Sequence, residues 1–283
     1  MQVRKIRLDL LLVEHGLAES RSLAQRLVMA GQVRVNGEVM LRGASLVPAD
    51  VLVEVEHGPR FVSRGGEKLE AALQSFDVEV AGRICADVGA STGGFTDCLL
   101  QHGAARVYCI DVGHGILDWK LRREPRVVVM ERTNARYVKS LPELVQVITI
   151  DVSFISLKIL LPVVRNWLFQ EGAVEHIPSG SIIALIKPQF EAGRQQVGRS
   201  KGVIRDPLIH HQVLMDILGF ARELGYAVRG LIRSPLVGPK GNVEFLTWLE
   251  ASGEQSVSIE ALAESAALSG DQTREPSGGS SNR

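Results

Sequence analysis

The chain has 283 residues, enough for more than one domain, and 45% of them are apolar, as in an ordinary globular protein. No apolar run approaches the roughly 18 residues that a membrane span needs, and the N-terminus mixes charges into its apolar stretch, unlike a signal peptide. The formal net charge is zero, which argues against a uniformly basic surface for nucleic acid. These features predict a soluble, cytoplasmic protein with no membrane partner.

The zero net charge hides a division along the chain. Residues 251–283 carry five acids and two arginines, so the remaining body is net positive. Its cations gather in clusters that fit either a phosphate chain or an ordinary solvated face. The clusters are Arg4, Lys5 and Arg7; Lys120, Arg122, Arg123 and Arg126; and Arg194, Arg199, Lys201 and Arg205.

Three cysteines fit neither a disulfide framework nor the paired spacing of a zinc site. Cys85, Cys98 and Cys109 lie in or beside predicted core elements, so we expect buried structural thiols. No metal site is predicted.

Residues 1–57 form a compact N-terminal block. Apolar residues recur at helical spacing from Ile6 to Val13, ending at Gly16, and again from Leu23 to Val28, ending at Gly31. Beyond Gly31 the pattern alternates through an Asn36-Gly37 turn, which is typical of strands. The block is therefore predicted to be two helices followed by a small sheet.

The stretch RLDLLLVEHGLAESRSLAQRLVMAGQVRVNGE resembles the S4 RNA-binding domain. In that family the second helix and the following hairpin grip structured RNA, although a helical cap that only packs on its neighbour is the alternative reading. The resemblance and the basic clusters together give a set of predicted RNA-binding residues: Arg4, Lys5, Arg7, Ser20, Arg21, Gln25, Arg34, Asn36, Arg60 and Arg64.

Gly and Pro make residues 58–62 a predicted linker. In residues 63–250, apolar runs with strand character alternate with helical segments, which indicates a mainly parallel sheet with helices on both faces. The last two strands are too close in sequence for a crossover helix, so they are predicted to pair antiparallel. Residues 251–283 are poor in large apolar side chains and are predicted to be disordered.

The sequence DVGASTGGFTDCLL places a turn of small residues between a strand and a helix. It matches neither the phosphate-binding loop nor the dinucleotide fingerprint. A second acid, Asp111, ends the next strand about twenty residues later, where a carboxylate can accept hydrogen bonds from both hydroxyls of a ribose. A purely structural turn is the alternative.

This combination resembles the S-adenosylmethionine site of class I methyltransferases. The resemblance implies that cofactor as ligand, with the glycine turn at its methionine part, the acid on the ribose, and a residue after the third strand on the adenine. The cofactor-binding residues implied are Asp87, Gly89, Ala90, Ser91, Gly93, Gly94, Phe95, Asp111, Val112 and Asn134.

Four short motifs place isolated charges in apolar or glycine-rich surroundings: SRGGEKL, DVSFIS, IKPQFE and GNVEF. Their charged residues are Lys68, Asp151, Lys187 and Glu244. Burying an unpaired charge is costly, so these residues should have partners. Structural ion pairs at strand ends are the alternative to a catalytic role.

In order and context the four residues resemble the Lys-Asp-Lys-Glu tetrad of FtsJ-like 2′-O-ribose methyltransferases. With the preceding S4 block, the sequence is similar to the TlyA family of ribosomal RNA methyltransferases, which also carries a haemolysin label. The resemblance implies a class I methyltransferase domain, Rossmann-like, with a mostly parallel seven-stranded sheet and an antiparallel last strand, preceded by a small α+β S4 domain.

That family modifies the ribose of cytidines in ribosomal RNA. The tetrad is expected to act with Lys187 as the base, Asp151 and Glu244 as positioning groups, and Lys68 either steering charge or orienting the ribose. The partner is then ribosomal RNA or a ribosomal subunit, with no obligate protein partner. Two alternatives are a non-catalytic RNA-binding assembly factor and a membrane-lytic haemolysin, and the sequence offers no segment suited to lysis.

Overall fold

The computed structural model describes residues 4–56, 58–168, 180–193, 202–238, 240–255 and 257–268. Its internal contacts divide the chain into two compact units, residues 1–60 and 61–283. The division falls within the predicted linker 58–62. Across the described ranges, the structure contains no helix with the length and apolar character needed to cross a membrane.

The first unit contains two helices and two small antiparallel sheets. In chain order its elements are β1 (Lys5–Arg7), α1 (Leu8–Glu14), α2 (Arg21–Met29), β2 (Val33–Val35), β3 (Glu38–Met40), β4 (Leu46–Pro48) and β5 (Val53–Val55). Strand β2 lies between β3 and β5, and β1 pairs with β4. The predicted helices and hairpin are confirmed, while the β1–β4 pair is additional. Both helices bury their apolar faces in one small core, which includes Leu8, Leu12 and Val28.

The second unit is built on a seven-stranded sheet. Its strands are β6 (Ile84–Val88), β7 (Arg106–Ile110), β8 (Val127–Met130), β9 (Val147–Ile150), β10 (Ser181–Ile186), β11 (Ala227–Arg233) and β12 (Phe245–Glu250). The spatial order is β11-β12-β10-β9-β6-β7-β8, and only β12 runs against its neighbours. This confirms the predicted mostly parallel sheet and the antiparallel pairing of the last two strands.

Helices cover both faces of this sheet. They are α3 (Gly65–Ser75), α4 (Gly94–Gln101), α5 (Trp119–Arg122), α6 (Leu157–Leu168), α7 (Pro188–Glu191), α8 (Pro207–Glu223) and α9 (Ile259–Leu268), with a 3-10 helix at Ala135–Tyr137. Two apolar cores result, one on each face of the sheet. All six residues of β10 are buried, as expected for a central strand covered on both sides.

The prediction that residues 251–283 are disordered is wrong for their first part, because α9 forms there. Its buried residues are Ile259 and three small ones, Ala263, Ala266 and Ala267. The small alanine side chains let α9 approach α8 and β11 closely. A prediction based only on large apolar residues therefore underestimated the surface that this stretch can bury. Gln255 adds hydrogen bonds to both backbone groups of Val228. Residues 269–283 lie outside the described ranges.

All three cysteines are free thiols and buried, as predicted. Cys85 lies in β6 and Cys109 in β7, and burial raises the pKa of each thiol to about 12. Arg194, Arg199 and Lys201 of the third cationic cluster lie outside the described residues.

Candidate active site

The glycine turn follows β6 and leads directly into α4. Gly89 has φ +84°, and a Cβ atom there would collide with the carbonyl oxygen of Asp151, which directly follows the neighbouring strand β9. Gly93 has φ +96°, and a Cβ there would meet Leu117 and Leu121. Both positions therefore need glycine for conformation and for space. The turn is held tightly against both the β9 end and α5.

Asp87 lies beneath this turn and not in it. Its side chain is fully buried, and its two carboxylate oxygens accept hydrogen bonds from Thr96, at 2.7 Å, and Thr149, at 3.0 Å. Burial raises the pKa of this carboxyl to about 6. The predicted cofactor ligand Asp87 is thus placed in the interior, where it joins α4 to β9.

Asp111 follows β7 and faces a cleft of about 610 Å³. One carboxylate oxygen accepts the backbone N–H of Ser91 and the other that of Gly113, both at 2.7 Å. Each oxygen keeps further acceptor capacity. The acid therefore fixes the glycine turn while still offering acceptors to a ligand.

Residues from four strand ends line this cleft. Predicted members that line it are Gly89, Ser91, Asp111, Val112 and Asn134. The side-chain oxygen of Asn134 accepts the N–H of Arg136 at 3.1 Å, which leaves its amide group to donate. Ala90, Gly94 and Phe95 instead line an adjoining cavity on the outer side of the turn, and Gly93 packs inside the protein.

The four charged residues form two close ion pairs. Lys187 Nζ lies 2.5 Å from Asp151 Oδ1, and Lys68 Nζ lies 2.6 Å from Glu244 Oε2. Lys187 also donates to Ser153 Oγ at 3.1 Å. The carboxylate of Glu244 has a side-chain exposure of only 2%, so this pair is well shielded from solvent.

Both ion pairs, formed by Lys68, Asp151, Lys187 and Glu244, line one cavity of about 750 Å³, the tetrad cavity. Asp151 and Lys187 follow the carboxyl ends of parallel strands β9 and β10, whereas Glu244 precedes the antiparallel β12, which places all three at one sheet edge. Gly89, Ser91 and Asp151 line both this cavity and the cleft beside Asp111. The two spaces therefore adjoin across the glycine turn.

In the first unit, three of the predicted RNA-binding residues converge on Asp9. Arg7 donates two hydrogen bonds to its carboxylate, at 3.0 and 2.8 Å, Arg21 donates one at 3.0 Å, and Gln25 donates one at 2.7 Å. These bonds, chiefly those from Arg7, hold the pKa of the buried Asp9 carboxyl well below its usual range. Asp9 thus fixes the direction of two arginines whose side chains stay 37% and 52% exposed.

The other predicted RNA-binding residues differ in their contacts and in their exposure. Ser20 caps α2 by accepting the N–H of Leu23, and Asn36 occupies a turn with φ +51°, so both have structural roles there. Arg34 pairs with Glu56 at 2.5 Å. The remaining cations are exposed: Arg4, Lys5, Arg60 and Arg64.

Comparison with known families decides the class. The model of the FtsJ-like methyltransferase family matches residues 61–251, and the S4 domain model matches residues 6–50. The chain belongs to the FtsJ-like methyltransferase family. The first unit is its S4 domain, and the second is its methyltransferase domain.

Relatives match this methyltransferase over nearly its whole length. YqxC of Bacillus subtilis, named as a candidate rRNA methyltransferase, is 49% identical over 90% of this chain and 89% of its own. The 16S/23S rRNA (cytidine-2′-O)-methyltransferase TlyA of Mycobacterium tuberculosis is 43% identical over 92% of this chain and 95% of its own. A solved structure of a candidate hemolysin from Streptococcus thermophilus is 42% identical, with a TM-score of 0.67, covering 94% of this chain and 96% of that one.

Sequence reasoning missed one aromatic residue of the methyltransferase domain. Phe154 is 89% exposed, has φ +65°, and lines both the cleft and the tetrad cavity. The centroid of its ring lies 4.8 Å from the ring centroid of Phe190. A left-handed backbone is costly for a bulky residue, which points to a functional constraint. The only sequence signal is a lone aromatic residue inside the DVSFIS motif.

Glu191 is a second residue that the sequence did not reveal. Its carboxylate accepts hydrogen bonds from Ser156 Oγ, at 2.5 Å, and from the N–H of Leu157, at 2.8 Å. It therefore joins the segment after Lys187 to the loop after Asp151 and caps α6. Burial raises the pKa of this carboxyl.

Proposed function

We propose that this chain transfers the methyl group of S-adenosylmethionine to a ribose 2′-hydroxyl of ribosomal RNA, at a cytidine. The observation that carries the proposal is the meeting of two lysines and two acids in one cavity that adjoins a nucleoside-sized cleft. The relatives named as rRNA methyltransferases support the substrate class.

The cleft has the donors and acceptors that an adenosyl group needs. Asp111 would accept hydrogen bonds from the ribose hydroxyls, and the Asn134 amide would meet the adenine. The cleft volume of about 610 Å³ lies in the usual range for small-molecule sites. When bound, S-adenosylmethionine supplies an electrophilic methyl group on a sulfonium. That group would lie at the glycine turn, where the cleft adjoins the tetrad cavity.

The tetrad would prepare the ribose hydroxyl for attack. Lys187 Nζ would accept the proton of the ribose hydroxyl as that oxygen bonds to the methyl carbon and the carbon–sulfur bond of the cofactor breaks. Asp151, whose Oδ1 lies 2.5 Å from Lys187 Nζ, would stabilise the ammonium that forms. The Lys68–Glu244 pair then orients the ribose, and the exposed ring of Phe154 offers a stacking face for a base.

We expect Asp111→Asn to weaken binding of the product S-adenosylhomocysteine by about tenfold to a hundredfold, since each hydrogen bond to a charged acceptor contributes about 1.5–3 kcal/mol. Isothermal titration calorimetry measures this directly. Asp118→Asn is the matched control, because the Asp118 carboxylate caps α5 through the N–H of Lys120 and is not among the residues that line the cleft. Equal affinities in both variants would remove Asp111 as the ribose ligand.

The S4 domain would bind the RNA through Arg7 and Arg21, the two arginines that Asp9 orients. We expect Arg21→Gln to weaken RNA binding and to lower the slope of log affinity against log salt by about one, as for the loss of one phosphate contact. Filter binding to ribosomal RNA at several salt concentrations tests this. Arg83→Gln serves as control, because Arg83 pairs with Glu79 in the methyltransferase domain. An unchanged salt slope for Arg21→Gln would contradict the proposal.

The decisive experiment incubates the purified chain with labelled S-adenosylmethionine and ribosomal subunits from cells that lack the gene. We expect one or a few cytidines to gain a 2′-O-methyl group, mapped by mass spectrometry of RNA fragments. RNA binding without any methyl transfer would favour the assembly factor instead. Methyl transfer to a base atom would refute the ribose assignment.

A further inference from the structure

A cluster of potential metal ligands lies between α3 and α4, apart from the tetrad cavity. It comprises Glu70 on α3, Cys98 on α4, and His102 at the end of α4. Their ligand atoms all lie within 4.8 Å of one another. His102 Nε2 is 2.7 Å from Glu70 Oε2, and Cys98 Sγ is 3.7 Å from the same oxygen.

The chemistry and spacing of these side chains suit a transition metal. Cys98 and His102 are four residues apart, so they project from one face of α4 and can chelate a single ion. A thiolate, an imidazole and a carboxylate are all zinc ligands, bound at about 2.0–2.3 Å. Ligand atoms that lie within 4.8 Å of one another can close around one such ion. Gln74 Nε2 donates to Glu70 Oε1 at 3.0 Å, as outer hydrogen bonds commonly orient ligating carboxylates.

We propose that Glu70, Cys98 and His102 form a zinc-binding site that ties α3 to α4. Cys98 is fully buried, whereas the His102 side chain is one-third exposed, which leaves a path for the ion and a place for a water as fourth ligand. Binding converts the Cys98 thiol to a thiolate and releases its proton to solvent, so affinity should rise with pH.

A metal at this location would connect two helices that border the methyltransferase site. Helix α3 carries Lys68 two residues before Glu70, and α4 begins at the glycine turn. A metal between these helices would hold the tetrad lysine in register with the cofactor loop. The competing explanation is a simple His102–Glu70 ion pair with a buried thiol beside it, and this arrangement predicts no metal dependence.

Cobalt(II) provides the direct probe, because a cobalt–thiolate bond gives a strong near-ultraviolet charge-transfer band. The metal-free full-length chain is titrated with cobalt(II), and zinc(II) is then added in competition. We expect one equivalent of cobalt(II) to produce the band and one equivalent of zinc(II) to abolish it. Bound zinc should also raise the melting temperature.

Matched variants separate the site from adventitious binding. Cys98→Ser and His102→Gln should each lose the band and weaken zinc binding at least tenfold, whereas Cys85→Ser, a buried thiol outside the cluster, should behave as the original chain. The absence of a thiolate band in the unmodified chain overturns the proposal. Equal zinc binding by the chain and by Cys98→Ser does so too, since the ion would then be held elsewhere.

Discussion

Replacing Lys187 by methionine is expected to abolish detectable methyl transfer while leaving cofactor affinity within about twofold. Methionine keeps the length of the side chain, and Lys187 Nζ contacts Asp151 and Ser153 rather than the groups beside Asp111. Loss of a general base typically lowers a rate by about 10²–10⁴-fold. Single-turnover transfer of labelled methyl groups to ribosomal subunits measures the rate, and calorimetry with S-adenosylhomocysteine measures the affinity.

The control for this experiment is Lys158→Met. Lys158 pairs with Asp216 at 2.7 Å on the surface of the same domain, so its loss changes net charge equally without touching the tetrad cavity. We expect this variant to retain its full rate. Turnover by Lys187→Met within tenfold of the unmodified chain would exclude Lys187 as the base and would move that role to another group in the cavity.

The sheet and the location of three tetrad residues could be predicted because parallel strands present their carboxyl ends at one edge. Asp151 and Lys187 follow such ends. Glu244 joins them because the short connection before it forces β12 to run antiparallel. Lys68 belongs to α3, which precedes β6, so the strand argument does not place it. The sequence marked it as an isolated charge, and only the family resemblance grouped it with the other three.

The sequence alone could not predict which lysine of the tetrad pairs with which acid. Lys68 and Glu244 are 176 residues apart, and nothing local indicates that they pair with each other while Lys187 pairs with Asp151. Pairing depends on side-chain reach within the folded cavity. Asp9 was missed for a related reason, since a carboxylate that orients two arginines has the same sequence signature as one exposed on a helix.

Variants of the Lys68–Glu244 pair can distinguish an effect on stability from an effect on catalysis. We expect Lys68→Met to lower the free energy of unfolding by about 3–5 kcal/mol, because it leaves the Glu244 carboxylate buried without a counter-charge. The double variant Lys68→Met, Glu244→Gln removes both charges and should recover most of that loss. Urea denaturation of the unmodified chain, of Lys68→Met and Glu244→Gln, and of the double variant gives the coupling free energy between the two residues.

Activity should follow a different pattern from stability across the same variants. If the pair orients the ribose, the double variant folds well but transfers methyl groups no faster than either single variant, since no charge remains to hold the hydroxyl. If the pair serves only to join α3 to the end of the sheet, restoring stability restores the rate as well. Recovery of both properties in the double variant would therefore show that Lys68 and Glu244 support the fold and that their charges are not needed for methyl transfer.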